Sequence, residues 1–506
     1  MKFSDRFRAI ASLAPQAIAV EFHDKCYDWA WISRIADAVE AQLVERGIEP
    51  DAPVGWMAHN QPAMVGAALG LLQSERYLAP LNPHQPVARL ADDVRHLAMV
   101  ALIGMPEDFA SGALVEAAKA VGAVGIVVDP EGEGSVCVVP GLETLGPGPH
   151  REKMPGRVLE RMSSGTTGQP KRIPLTRKDL EEGLLAGPPS REDAEKAQQG
   201  ILALSSVPVV MFSPFAHAAG LYTLIGALYF GRTIILHEKF SVGPWVDSIV
   251  RTKAIVSNLV PAMLRMVLDA DVPKEKLASL VAVRSGTAPL DPEMQRTFEE
   301  RYGIPILVDY GASEFIGGVA GWSLKDHRSF GETKRGSVGR AKAGVQIRVV
   351  GEDGAMVPPG ETGILEIRSE RFGPDWIRTT DLAAIDAEGF LYIRGRADGV
   401  IIRGGFKIIP EIVSEILQRH EDVNEAVILG VEDKRLGEKP LAVVELREGA
   451  SQPPAEELDA LVREHLPPYQ VPFAYEFVKK LPRTVSLKIS RPEVRALLKD
   501  RYAFTG

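Results

Sequence analysis

The alternation of helix-like and strand-like segments over the first 390 residues is the feature that most constrains the fold. Apolar side chains recur every three or four positions over residues 31–47, which predicts an amphipathic helix. Residues 61–73 predict a second, more apolar helix, and short apolar runs predict strands at 54–57, 100–103, 124–128, 233–236 and 254–256. Such alternation predicts an α/β fold built on mostly parallel strands.

The pattern changes near residue 390, and 506 residues exceed the usual size of one domain. Short strands are predicted at 390–394, 400–403, 427–431 and 441–446, with helices opening at Pro410 and lying at 455–466 and 491–499. We therefore predict a large N-terminal domain, residues 1–395, of mixed, largely parallel sheets flanked by helices. A small mobile α+β C-terminal domain follows at 396–506, and the glycines around Asp398 predict a hinge there.

Composition excludes several classes of protein. The net charge of −9 argues against nucleic acid as a partner, because nucleic-acid binders carry a basic face. Cys26 and Cys137 match no metal or redox spacing, which favours a reducing, cytoplasmic location. The longest strongly apolar stretch, residues 64–72, is shorter than the roughly 20 residues of a membrane span, so no span is expected.

A loop over residues 162–171 carries the strongest chemical signal. It combines glycines, hydroxyl side chains and Lys171, which suits backbone and side-chain donors to a phosphate. Its spacing differs from the Gly-x4-Gly-Lys-Ser/Thr loop, since no Ser or Thr follows Lys171. On composition alone, a flexible surface linker explains the loop equally well.

Further segments give this loop a family context. Ser163-Ser164-Gly165-Thr166-Thr167-Gly168-Gln169-Pro170-Lys171 resembles the signature loop of the acyl-adenylate-forming superfamily, which includes acyl- and aryl-CoA ligases. Seven more segments resemble the family's motifs in the expected order, so that the resemblance covers about residues 10–500. They are Pro214-Phe215-Ala216-His217-Ala218-Ala219-Gly220, Val260-Pro261-Ala262-Met263-Leu264, Ser285-Gly286-Thr287-Ala288-Pro289-Leu290, Tyr310-Gly311-Ala312-Ser313-Glu314, Arg378-Thr379-Thr380-Asp381, Gly395-Arg396-Ala397-Asp398 with Gly404-Gly405, and Leu481-Pro482-Arg483-Thr484 with Lys488.

The resemblance implies an ATP site with magnesium. Glu314 would hold the metal and act in catalysis, and Ser313 would touch the α-phosphate. The phosphate-binding residues would be Ser163, Ser164, Gly165, Thr166, Thr167, Gly168 and Lys171. Adenine would be enclosed by Gly286, Thr287, Ala288 and Tyr310, with Tyr310 stacking on it, and ribose would lie at Asp381 and Arg396. The other predicted nucleotide-binding residues are Asp309, Gly311 and Ala312.

The resemblance also implies two roles for the small domain. Lys488 would bridge the attacking carboxylate and the α-phosphate during adenylation. Rotation about Asp398 would then remove Lys488 and bring Gly404, Gly405 and Phe406 to the channel for the thiol of coenzyme A.

The acyl pocket would be lined by mostly small residues, which suggests room for a ring or a branched chain. The predicted substrate residues are His217, Ala218, Asn258, Phe315 and Gly317. Isolated from its motif, His217 would more often be a structural histidine.

The chain departs from the family pattern at four places. Arg172 follows Lys171 where the family has glycine, Thr380 replaces the glycine of Thr-Gly-Asp, and Leu487 replaces the glycine before Lys488. The loop at residues 369–376 is also shorter than usual. None of these changes removes a charged catalytic group.

We therefore predict an AMP-forming acyl- or aryl-CoA ligase with a carboxylic acid, ATP, magnesium and coenzyme A as its ligands. One alternative is an adenylating enzyme that loads a carrier protein, and another is a degenerate nucleotide- or acyl-binding protein without turnover. The identity of the acid, the acceptor and a homodimeric state stay open at the level of sequence.

Overall fold

The computed structural model of the 506-residue chain describes most of it. The described residues are 2–129, 135–162, 172–187, 190–311, 315, 317–370, 373–403, 406–433, 435–484 and 487–505, without the side chains of 135, 162, 186, 398 and 407. Among the predicted site residues, Ser163, Ser164, Gly165, Thr166, Thr167, Gly168, Lys171, Ala312, Ser313, Glu314, Gly404 and Gly405 lie outside this part of the chain.

Helices and strands alternate through most of the described chain. The helices are α1 (Phe3–Leu13), α2 (Trp29–Glu45), α3 (Pro62–Gln73), α4 (Val87–Leu97), α5 (Pro106–Phe109), α6 (Gly112–Ala120), α7 (Arg177–Ala186), α8 (Arg191–Gln198), α9 (Ala218–Phe230), α10 (Val242–Thr252), α11 (Pro261–Asp269), α12 (Pro292–Tyr302), α13 (Leu324–Phe330), α14 (Pro410–Leu417), α15 (Ala455–His465) and α16 (Arg491–Leu498). The strands are β1 (Ile18–Phe22), β2 (Lys25–Asp28), β3 (Pro53–Met57), β4 (Tyr77–Leu81), β5 (Ala101–Gly104), β6 (Val124–Asp129), β7 (Ser135–Val138), β8 (Arg157–Met162), β9 (Arg172–Thr176), β10 (Val209–Met211), β11 (Ile234–Leu236), β12 (Val256–Asn258), β13 (Ala282–Ser285), β14 (Ile306–Tyr310), β15 (Ala320–Gly321), β16 (Arg340–Ala341), β17 (Val345–Val350), β18 (Gly363–Ser369), β19 (Gly373–Ile385), β20 (Leu391–Arg396), β21 (Ile401–Arg403), β22 (Phe406–Ile408), β23 (Val423–Asp433), β24 (Gly437–Leu446) and β25 (Ala474–Val478).

The chain divides into two compact units. The first unit comprises Met1–Ser257 and Val272–Leu280, and the second comprises Asn258–Asp271 and Val281–Gly506. This division does not fall at residue 395. The predicted boundary at 395 and the hinge at Asp398 concern movement of the C-terminal part, and they stay predictions.

The first unit contains two sheets. Its larger sheet has the strand order β7-β6-β5-β3-β4-β8-β9. The pairs from β6 to β8 are parallel, whereas the two edge strands are antiparallel to their neighbours. All five residues of β3 and all five of β4 are buried. Continuous apolar runs are expected of parallel strands covered on both faces.

The second unit contains α11 and the strands β13, β14, β15 and β16, which lie side by side in that order in a sheet that β12 extends. The antiparallel sheet β17-β18-β19-β20 follows. The last part of the chain forms the sheet β22-β21-β24-β23, in which β25 pairs with β24 in parallel.

The last sheet is covered on both faces, as the alternation along β23 shows. Ala426 and Ile428 belong to one apolar cluster with α14 and α15 residues, whereas Val427 and Leu429 belong to another that includes Val494 of α16. Successive side chains of a strand point to opposite faces, so a strand that packs on both faces carries apolar residues at successive positions.

The structure confirms the predicted α/β fold with a smaller α+β C-terminal part. The predicted segments at 31–47, 54–57, 61–73 and 124–128 match α2, β3, α3 and β6 within two residues. The predicted strand at 254–256 is wrong in its bounds, because β12 runs from Val256 to Asn258. Lys253, the residue after α10, has the left-handed conformation with a φ of +50°, so the strand begins later than predicted.

Candidate active site

The parallel strands β13 and β14 end side by side in the second unit. Ser285, the last residue of β13, is paired with Val308 of β14. Of the predicted nucleotide-binding residues, 286–288 follow β13, 309 and 310 are the last residues of β14, and 311 follows β14. Ligands of α/β sheets bind beyond the carboxyl ends of parallel strands, so this end of the sheet, residues 285–288 and 309–311, is called here the β13–β14 edge.

Close backbone packing fixes the β13–β14 edge. A Cβ added to Gly286 would lie 2.8 Å from the carbonyl oxygen of Asp309. This distance is shorter than the contacts that Cβ atoms make, so the backbone would have to move. Thr287 has a φ of +68°, which is rare for a β-branched residue and costs about 1–2 kcal/mol. The related family motif has glycine at this position, so the sequence keeps a strained threonine where a relaxed residue would fit.

A buried hydroxyl lies at the same edge. Ser285 is buried, and its Oγ has no hydrogen-bond partner among the described residues. Strained backbone and unpaired buried polar atoms concentrate at binding sites. Both features fit a nucleotide bound at the β13–β14 edge.

Tyr310 and Asp381 meet in the structure although 70 residues separate them. The phenolic hydroxyl of Tyr310 donates a hydrogen bond to Asp381 Oδ2. The backbone N–H of Asp381 donates to Thr379 Oγ1 at 3.0 Å, and the Thr379 hydroxyl donates to the Leu365 carbonyl oxygen at 2.9 Å. Asp381 also pairs with Arg396 across β19 and β20. The predicted adenine and ribose residues are therefore brought together.

Asp309 is held by two cations. Its carboxylate lies 2.9 Å from Arg284 Nη1 and 2.6 Å from Lys342 Nζ. Neither cation was singled out from the sequence, although an arginine within the apolar strand β13 was a signal that a carboxylate lies beside it. These ion pairs give Asp309 a structural task, and its contact with the nucleotide stays a prediction.

The predicted pocket residues after β14 differ in their surroundings. Phe315 is fully buried in an apolar cluster with Val319 and Ala320, so packing alone accounts for its side chain. Gly317 has a φ of +80° and open space where a Cβ would lie. Any larger residue at Gly317 would strain the backbone as well as fill space. Their contact with an acyl group stays a prediction for both.

Lys488 lies in a closed turn between β25 and α16. Its backbone N–H donates to Thr484 Oγ1 at 3.3 Å, and its carbonyl oxygen accepts from the Thr484 N–H at 2.8 Å. Burial lowers the pKa of the Lys488 ammonium. Among the described side chains no carboxylate forms an ion pair with Lys488. A desolvated lysine with no ion-pair partner among the described carboxylates suits an anionic ligand.

The structure shows the backbone at two positions of the second unit where the sequence differs from the family motif. Leu487 has a φ of +62°, which explains why related sequences place glycine before the lysine. Thr380 lies in β19 between Arg378 and Leu382, where the register against β18 is irregular.

The remaining described residues of the C-terminal part lie on short elements. Phe406 is exposed and stacks on Tyr469 with ring centroids 4.7 Å apart. Asp398 lies in the 3-10 turn Ala397–Gly399, which begins directly after β20. The thiol channel and the hinge stay predictions.

In the first unit, His217 is the N-cap residue of α9 and Ala218 is the first residue of that helix. Sequence reasoning missed Asn60, whose side-chain amide donates to the carbonyl oxygens of Ser213 and His237 at 3.1 Å each. Its Oδ1 accepts from the Phe215 N–H at 2.9 Å, so Asn60 positions the segment that precedes His217. In the second unit, Asn258 is exposed at the end of β12.

A family model for the AMP-binding enzyme matches residues 7–372, and a model for the AMP-binding enzyme C-terminal domain matches residues 413–488. The first match alone spans well over half of the chain. The chain belongs to the AMP-binding enzyme family.

Several ligases of this family resemble the chain. It is 33% identical to the sulfoacetate–CoA ligase of Cupriavidus necator over 351 residues, which are 65% of each chain. It is 28% identical to the indoleacetate–CoA ligase of Aromatoleum aromaticum over 98% of both chains, and 27% identical to a feruloyl-CoA synthase of an Amycolatopsis species over 96% of both. The structure of ATP-bound MatB from Rhodopseudomonas palustris has a TM-score of 0.81 at 21% identity, covering 99% of both chains, which shows the shared fold.

The family and its ligases confirm several predictions. They confirm the superfamily, the fold class and the class of AMP-forming acid–thiol ligase with ATP and coenzyme A as co-substrates. Among the described residues, no helix is both long and apolar enough to cross a membrane.

Proposed function

We propose that this AMP-binding enzyme activates a ring-bearing carboxylic acid as its acyl-adenylate and then forms the thioester with coenzyme A. The hydrogen bond from Tyr310 to Asp381 is the observation that carries the nucleotide half of this proposal. It unites, at one place, the two side chains that the family resemblance assigns to adenine and ribose.

The ring-bearing acid is supported by two kinds of observation. Both of the relatives named above that match nearly the whole chain have names that refer to aromatic acids, indoleacetate and ferulate. The predicted pocket positions Ala218 and Gly317 carry little or no side chain, and among the described residues no atom lies within 4 Å of a Cβ added at Gly317. Small lining residues leave room for a planar group.

Lys488 supplies the charge for adenylation in this proposal. Attack by a carboxylate oxygen on the α-phosphorus forms a mixed anhydride and expels pyrophosphate. A desolvated ammonium stabilises the negative charge that develops on the α-phosphoryl oxygens. At about 4 Å and an effective dielectric near 20, one unit charge is worth about 4 kcal/mol.

We assign magnesium to Glu314 on the family resemblance. The described carboxylate at the β13–β14 edge, Asp309, is engaged by Arg284 and Lys342. When bound, magnesium neutralises phosphate charge, and one carboxylate with phosphate oxygens and waters suffices to hold it. A structure of the o-succinylbenzoate CoA synthetase from Bacillus subtilis was determined with ATP and magnesium, at 22% identity and a TM-score of 0.77.

The domain and partner assignments belong to the same proposal. The residues 396–506 turn about Asp398 between the half-reactions, and Gly404, Gly405 and Phe406 line the thiol channel. We place the enzyme in the cytoplasm and leave a homodimer as the quaternary state to be measured.

A screen of pyrophosphate release tests this function. Aromatic, fused-ring, short and medium-chain acids are each incubated with ATP and magnesium, with and without coenzyme A, and the thioester is measured by mass spectrometry. We expect release with ring-bearing acids and a thioester only with coenzyme A. Release without any thioester would favour the carrier-protein alternative, and no release with any acid would favour a binding protein without turnover.

A further inference from the structure

A fully buried carboxylate lies near the predicted phosphate loop and was not noticed in the sequence. Glu160 has no exposed side-chain surface. Arg172 Nη1 donates to its Oε1 at 2.5 Å, and Arg151 Nη1 and the Tyr77 hydroxyl each donate to its Oε2 at 2.9 Å. Burying an ion is costly unless it is paired and hydrogen-bonded, and Glu160 meets both conditions.

The donors come from different parts of the first unit. Arg172 also donates from Nη1 to the carbonyl oxygen of Pro80 in β4, at 3.0 Å. Tyr77 lies at the start of β4, and its pKa is raised by burial and then by Glu160, so its hydroxyl stays protonated. The carboxylate thus ties β8 and β9 to the neighbouring strand.

The position of this cluster relates it to the phosphate loop. The antiparallel strands β8 and β9 pair at Met162 and Arg172, the residues on either side of loop 163–171. Glu160 lies opposite Pro174, so the contact between Arg172 and Glu160 crosses the pair diagonally. We call Glu160, Arg172, Arg151 and Tyr77 the Glu160 clamp.

Arg172 replaces a residue that has no side chain in the related motif. Glycine at this position would leave Glu160 with two donors and would allow the stem of the loop more backbone freedom. A phosphate-binding loop acts through backbone donors, so its affinity depends on the separation and direction of its two ends.

We propose that Arg172 is a positioning residue for adenylation, which holds the ends of loop 163–171 in place by binding the buried Glu160. The inference rests on the proposed function, in which this loop binds the triphosphate. The residue acts through the stem and touches neither the acid nor coenzyme A.

The test compares Arg172→Ala with Arg172→Lys and with Arg46→Ala. Arg46 is the control, because the side chains of Arg46 and Arg172 are each 13% exposed and each binds a carboxylate and a backbone carbonyl oxygen, whereas the carboxylate partner of Arg46, Glu45, is exposed. For each variant, the KM for ATP is measured by ATP–pyrophosphate exchange with the best acid. Thioester formation from supplied acyl-AMP and coenzyme A is measured separately, and thermal melting reports folding.

We expect Arg172→Ala to raise the KM for ATP about tenfold and to change thioester formation less than about threefold. Arg172→Lys should recover most of the affinity, since its ammonium keeps the charge for Glu160. Arg46→Ala should leave both steps unchanged. A KM for ATP in Arg172→Ala within about threefold of the wild type, or an equal loss in both half-reactions, would overturn the proposal.

Two further outcomes are also decisive. If Arg172→Ala does not fold, Arg172→Gln takes its place, because its amide can still donate to Glu160 without the charge, and the same expectations apply. If no acid supports exchange, the proposed function fails, and the clamp is tested through the Kd of magnesium–ATP by calorimetry. About tenfold weaker binding in the Arg172 variant than in the wild type would support the clamp, and equal binding would overturn it.

Discussion

Two regions of the molecule are held in place by opposite means. One is the stem formed by β8 and β9, and the other is the β13–β14 edge. In the stem, a buried carboxylate is bound by two arginines and a tyrosine. At the edge, the backbone at Gly286 packs against the Asp309 carbonyl oxygen, and the ion pairs of Asp309 are partly exposed. The stem depends on charge, whereas the edge depends on the absence of a side chain.

This difference predicts which substitutions each region tolerates. Removing one partner of a buried ion pair leaves an unpaired charge, so the stem is sensitive to isosteric neutral replacements. The partly exposed pairs at the edge are screened by solvent and contribute little, so the edge is sensitive to added volume instead.

Of the substitutions in these two regions, the largest effect is expected from added volume at the β13–β14 edge. Gly286→Ala places a Cβ against backbone that cannot rotate away, at a cost of about 1–3 kcal/mol. We expect the KM for ATP to rise about thirtyfold in pyrophosphate exchange. Gly112→Ala, at a position with open space around the added Cβ, is the control and should match the wild type. An equal KM for ATP in the two variants would contradict the claim that close backbone packing at Gly286 holds the β13–β14 edge.

A smaller effect is expected from Tyr310→Phe, which removes one hydrogen bond to a carboxylate and no volume. Hydrogen bonds to charged groups contribute about 1.5–3 kcal/mol, so kcat/KM for ATP should fall about tenfold. Tyr302→Phe in the same unit loses only a 3.3 Å bond to a backbone carbonyl oxygen and should have little effect. Asp381→Asn added to Tyr310→Phe should cost less than the two single losses combined, and full additivity would argue against a direct partnership.

The pH profile addresses the lysine outside both regions. Burial lowers the pKa of Lys488. As the pH rises, Lys488 therefore loses its charge earlier than an ordinary lysine, which titrates near pH 10.4. The rate of adenylation should therefore decline with rising pH before pH 10.4 is reached. In Lys488→Arg this decline should begin at a higher pH. Between the two pKa values the unfolded state binds more protons, so this group makes stability rise with pH. An identical alkaline limb in Lys488→Arg would refute the assignment.

The smallest effect concerns backbone strain beside Lys488. Left-handed backbone costs a leucine about 1–2 kcal/mol, whereas glycine loses about 0.5–1 kcal/mol through its unfolded state. Leu487→Gly should therefore raise Tm by about 1 °C, measured by calorimetry. Lys253→Gly, at another left-handed residue, should behave alike, and a fall in Tm at both sites would show that side-chain contacts outweigh the strain.

The parts of the fold and of the site that could be predicted were those that depend on local sequence patterns. Helices such as α2 follow from apolar spacing, and the residues of the β13–β14 edge were indicated by the family resemblance of their motifs. The Glu160 clamp could not be predicted, because Tyr77 and Arg172 come from distant segments whose contact depends on strand order. Phe315 shows the same limit, since its offset from the motif suggested a pocket and its actual packing depends on β17 to β20.

Separate assays of the two half-reactions in Lys488→Ala test the central claim most directly. The account predicts that pyrophosphate exchange falls by at least about a thousandfold, because a charge near the α-phosphate worth about 4–5 kcal/mol is lost. It also predicts that thioester formation from supplied acyl-AMP and coenzyme A stays within about threefold of the wild type. An undiminished exchange rate, or an equal loss in both half-reactions, would contradict it.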